Sequence, residues 1–179
     1  MNARAEMLAD ALGVTRPLFD RFLAGFDDTN RTTQGPSLPN HAAWTLGHLA
    51  LYHHRAADRV LGHDDPRALP ESDFVVGEGR GGDADRFDTE SVCYGSRPTD
   101  EPAIYPGWGR CVAIHGAAWA RFVETVRSAD DAMLDRMVAW GASPFPASAL
   151  VTRMQFHLAT HAGQITDLRR ALGLGSVIG

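Results

Sequence analysis

Three histidines are the residues of this chain best placed to do chemistry. His157 and His161 stand four apart in QFHLATHAGQITDLRRALG, and His48 lies far earlier, in LPNHAAWTLGHLALYHHR. On a helix, His157 and His161 share one face a turn apart, so both imidazoles can grip one ion. A third imidazole from a facing helix completes a three-histidine site with coordination positions left open, which separates a catalytic metal from a structural one. Three neutral imidazoles suit zinc, nickel, iron or cobalt, whereas calcium and magnesium need oxygen ligands that these segments lack. An ion so held can bring the pKa of water toward neutrality, the route to hydrolysis, or ionise a thiol, the route to thiol transfer. The pair alone is a weak signal in a chain with 8 histidines; its combination with His48 carries the weight.

Other residues are weighed against this group. His41 falls on the same helical stripe as Trp44 and His48 and is a candidate catalytic residue holding a proton near the site, although it also sits at the helix start. Gln164, one turn past His161, is a candidate pocket group. His115 faces either the same core or a local partner, and His53, His54 and His63 read as solvated. Arg121, Arg127, Arg153 and Arg169 are candidates for an anionic substrate, with solvated helix arginines as the plainer reading. Cys93 and Cys111 form no C-x-x-C pair and no disulfide framework, and Cys93 is not read as a nucleophile. There is no Gly-rich phosphate loop, no G-x-S-x-G and no H-E-x-x-H.

The elements that must position the histidines read as helices. Leu8 and Leu12 precede Gly13, and Leu18, Phe19, Phe22, Leu23 and Phe26 recur at helical spacing, which predicts two short helices or one kinked near Pro17. A second helix should start near Asn40 and run to Leu61 before Gly62; a third covers about 108–126; a short one covers 130–138; the fourth long one runs from Ala147 to Leu172 before Gly173. Between the second and third, residues 63–106 show little periodicity and read as a crossover that doubles as a lid or pocket wall, with a flexible tip at 77–86 and Phe87, Tyr94 and Tyr105 packed on the bundle. No segment alternates as a central strand would. The expected fold is all-α, an antiparallel four-helix bundle in a single domain spanning 1–179.

Composition fits this. The 179 residues suffice for one domain with a core, at 44% hydrophobic and 22% charged. A formal net charge of −5 disfavours nucleic acid and anionic membranes as partners. No apolar run is long enough to span a bilayer, and MNARAEMLADALG lacks the apolar stretch of a signal peptide, so the expected location is the cytoplasm.

The segments NHAAWTLGHLA, YGSRPTDEPAIYP and HLATHAGQITDLRRALGL together resemble the DinB/YfiT-like superfamily of small metal-binding helical bundles, over about residues 7–174. The resemblance implies a four-helix bundle that often dimerises and a metal triad at His48, His157 and His161. It further implies a divalent transition metal, zinc or nickel ahead of iron, and thiol-dependent S-transfer or isomerisation with a low-molecular-weight thiol. A metal-dependent hydrolase and a non-catalytic metal- or small-molecule-binding bundle are the alternatives. The family name refers to DNA-damage induction and implies regulation, not DNA contact.

Overall fold

The computed structural model describes residues 2–63 and 69–177. It is mostly helical, with four long helices: α1 (Ala3–Phe22), α2 (Ala42–Leu61), α4 (Trp108–Arg127) and α6 (Ala147–Ala171). Two short ones, α3 (Thr89–Val92) and α5 (Asp131–Asp135), fill the connections. Helices α4 and α6 each pack against both α1 and α2, which closes a ring of four around one apolar core.

Helix α2 is the centre of this arrangement. Every residue from His41 to Leu51 is buried, as expected of a helix enclosed on all sides rather than amphipathic. Its N-cap is His41, not the expected Asn40: the His41 side chain accepts the Trp44 backbone N–H at 3.1 Å. It ends at Gly62, whose φ of 87° closes the left-handed C-cap.

Of the two forms expected for the first segment, α1 takes the single helix. The helix runs through Pro17, which withholds one backbone donor. Leu12 and Phe19, buried on either side of it, anchor both halves in the same core, and the Thr15 hydroxyl donates to the Leu12 carbonyl at 2.7 Å. Tertiary packing outweighs the local penalty.

The connection between α2 and α4 is more ordered than its composition suggests, although 64–68 lie outside the described residues. Strands β1 (Phe74–Val75) and β2 (Phe87–Asp88) pair in parallel, and β2 leads straight into α3. The glycine-rich stretch expected as a flexible tip instead wraps the buried Asp88 carboxylate, which accepts the Gly81 N–H at 2.8 Å. A Cβ at Gly77 would fall 2.1 Å from the same carboxylate. Phe87 and Tyr105 are buried as expected, but Tyr94 is 86% exposed. The expected short helix at 130–138 stops at Asp135, and β3 (Met137–Val138) pairs antiparallel with β4 (Phe145–Pro146) just before α6.

Candidate metal centre and its cavity

Helices α2 and α6 bring His48, His157 and His161 together, with one ligand atom of each within 4.8 Å of the others. His157 Nε2 lies 3.1 Å from His48 Nε2 and 3.1 Å from His161 Nε2. His48 is aimed by the backbone: its Nδ1–H donates to the Val92 carbonyl at 2.8 Å, which fixes the tautomer and leaves the Nε2 lone pair facing its neighbours. At best one proton can then be shared among three Nε2 atoms. Two imidazole nitrogens on a tetrahedral ion at about 2.05 Å stand roughly 3.3 Å apart, close to the 3.1 Å between His157 Nε2 and each of its two neighbours. The donor set therefore fits a divalent transition ion better than it fits three histidines facing one another.

The electrostatics agree. Burial pushes the His48 pKa down to about 4, aided by His157 and Arg55 and opposed by the Val92 carbonyl. Burial, then His157 and His48, push His161 down to about 3. Burial also lowers His157. All three are neutral at pH 7, the form a metal needs.

The residues around the triad explain the N-H-x-x-W-x-x-G-H pattern one by one. Asn40 ties α2 to α6, its Nδ2 donating to Gln164 Oε1 at 2.9 Å. His41 caps α2 and its Nε2–H donates to the Thr99 carbonyl at 3.0 Å, so both ring nitrogens are engaged by backbone. Trp44 stacks on His48, centroids 4.5 Å apart and planes 17° apart, and donates its Nε1–H to Ser96 Oγ at 2.9 Å. At Gly47, a Cβ would meet the Phe87 ring at 2.7 Å and Val92 Cγ1 at 2.9 Å, so only glycine lets β2 and α3 approach closely enough for Val92 to reach His48. The Gln164 carboxamide also favours the charged form of His161, though it lies outside hydrogen-bonding geometry with Nδ1.

A cavity of about 1190 Å³ opens beside the group, with His48 and His157 in its wall. Tyr52, Tyr94, Trp140 and Phe156 supply aromatic surface and Arg55, Arg59 and Arg153 supply charge. The Tyr94 N–H donates to the Tyr52 hydroxyl at 3.0 Å, holding the end of α3 to α2.

The remaining sequence candidates lie elsewhere. His41 belongs neither to the group of three nor to the cavity wall. His115 is fully buried, and neither of its ring nitrogens has a partner among the described residues. His53 and His54 are buried rather than solvated, because they face α4 and the packed 74–87 segment: His53 lies against His115 and Trp119, His54 against Phe74. His63 is exposed as expected. Arg121 pairs with the buried Asp58 and Arg127 with Asp10, while Arg169 is itself buried and donates to the Phe22, Ala24 and Leu174 carbonyls. Of those four arginines only Arg153 borders the cavity. Burial, then Glu90, raises the Cys93 thiol above its usual range, the wrong direction for a nucleophile.

Sequence reasoning missed the Val92 carbonyl, which no side-chain pattern can signal, and the stacking of the buried Trp44 ring on His48. It also missed Tyr52, Arg55 and Trp140, which converge only because the β3–β4 turn folds toward α2.

Fold and site define a helical protein with three histidines gathered together, two of them in the wall of a cavity, able to hold a metal ion. The family model of the DinB superfamily matches residues 11–165, and the chain belongs to that superfamily. A crystal structure described as the conserved protein of locus from Enterococcus faecalis has the same fold, with a TM-score of 0.66 and 14% identity over 96% of this chain and 97% of that one. No curated protein matches the sequence. No helix among the described residues is long and apolar enough to cross a membrane.

Proposed function

We propose that the chain is a metal-dependent enzyme, a thiol-dependent S-transferase in which His48, His157 and His161 hold one divalent transition ion, zinc or nickel foremost. It acts as one DinB-like unit over 1–179, its four long helices forming an antiparallel bundle. The observation that carries this reading is the convergence of three neutral Nε2 atoms, those of His48 and His157 in the wall of a cavity large enough for small molecules. When bound, such an ion lowers the pKa of a thiol or water that reaches it.

The chain's own residues do the positioning. The Val92 carbonyl and the Trp44 ring hold His48 in one tautomer and one plane. Tyr52 and Trp140 pack edge to face, centroids 5.9 Å apart, and form an aromatic wall of the cavity beside the histidines. His41 is a positioning residue: it caps the helix that carries His48. The same reading takes the protein as a cytoplasmic homodimer acting on a small molecule with a low-molecular-weight thiol, without nucleic acid or membrane.

The test is spectroscopic and kinetic. Cysteine or glutathione added to the cobalt-substituted protein should change its visible absorption and be consumed with an electrophile. Unchanged absorption with every thiol, together with turnover in thiol-free buffer, would replace transfer by hydrolysis.

A further inference from the structure

We propose that the substrate entering this cavity is an apolar molecule bearing a carboxylate, which Arg55 and Arg153 hold. The inference rests on the reading above only in calling the ligand a substrate; the recognition itself needs no metal.

Charge distribution is the first ground. The chain carries a formal net charge of −5, yet among the described residues the charged side chains of the cavity wall are arginines, with no Asp or Glu. Several other arginines of the long helices face acids: Arg110 lies 2.6 Å from Asp73 and Arg127 3.1 Å from Asp10, and Arg121 pairs with Asp58. Arg55 and Arg153 have no ion pair among the described residues. Each instead lies over an aromatic ring, Arg55 at 5.2 Å from the Tyr52 centroid and Arg153 at 4.7 Å from that of Phe145. A guanidinium laid on a ring keeps its in-plane N–H fork available for a carboxylate.

The walls supply the second ground. Tyr52, Trp140 and Phe156 offer flat apolar surface beside those guanidinium groups. Such walls suit a monoanion with an apolar body better than a dianionic phosphate, whose desolvation costs more. At about 1190 Å³ the cavity also exceeds the roughly 300–1,000 Å³ common for one small ligand, leaving room for a second reactant at His157.

Calorimetric titration tests this with three probes: 1-naphthoate, its neutral analogue 1-naphthamide, and 1-naphthyl phosphate. Each is added to metal-free and zinc-loaded full-length protein, wild type and R55M, R153M, R55K and R153K. Naphthoate should bind about tenfold more tightly than the amide with or without zinc. That preference should collapse in each Met variant and be retained in part in the Lys variants, which keep the charge but not the fork. Equal binding of acid and amide, or no binding of either, overturns the proposal. So does tighter binding of the phosphate, and so does a preference that needs zinc and survives both Met variants. If the preference persists in a protein that takes up no zinc, the metal reading fails and this inference stands.

Discussion

The His48 Nδ1–H donates to the Val92 carbonyl at 2.8 Å, and this contact exists because Gly47, the residue before His48, has no side chain. One backbone oxygen from a four-residue helix thereby sets the tautomer of a residue on the central helix. Placing a Cβ at Gly47 forces the Phe87 ring and Val92 away. G47A should therefore destabilise the fold by about 1–3 kcal/mol and weaken zinc binding by roughly 10–100-fold through the lost support of His48. Urea unfolding and a competitive zinc titration measure the two; wild-type zinc affinity in a folded G47A protein would contradict the link.

Asn40 and Gln164 join α2 to α6 just beyond the triad. Each of N40A and Q164A should cost about 1 kcal/mol, and the double variant should cost less than their sum, by a coupling of about 0.5–1 kcal/mol. Strict additivity in a double-mutant cycle would show that the bond holds nothing together.

Acid should unfold this protein early. Burial depresses the pKa of His41 and His54 to about 4 and those of His53 and His115 well below the ordinary value. In the unfolded chain each takes up a proton near pH 6.5. The unfolded state is thus protonated first, so stability is complete above about pH 6.5 and is lost as pH falls toward about 4. Each histidine contributes up to about 1.4 kcal/mol per pH unit in that window. Urea midpoints that stay level from about pH 7 to 4.5 would contradict the burial of these imidazoles.

His115 provides a separate check, because both its ring nitrogens are buried between α1 and α4 without partners among the described residues. H115L should be neutral or stabilising by about 1–2 kcal/mol at pH 7, and its stability should fall less steeply with acid. Its metal content should equal that of the wild type. Loss of the metal in a folded H115L protein would tie this histidine to the centre.

How much of this was legible follows from which interactions side chains signal. The long helices were readable because apolar spacing, Gly62 and Gly173 mark their faces and ends. The meeting of His48 with His157 and His161 followed from helical spacing joined to a family resemblance. Pro17 left two forms open because its penalty is local, while the packing of Leu12 and Phe19 that joins the two halves is not. His53 and His54 misled because polarity suggests solvent, whereas α2 is enclosed on every side. Of the cavity arginines the sequence offered Arg153 but not Arg55, since the two lie about a hundred residues apart and only the fold brings them to one cavity.

The central claim is that His48, His157 and His161 hold one ion. Elemental analysis of protein purified without chelator or His-tag, beside H48A, H157A and H161A, tests it most directly. The account predicts about one transition metal per wild-type chain and its loss in each folded variant. Undiminished metal in the variants, or no uptake by wild type from zinc, nickel or iron, would contradict it.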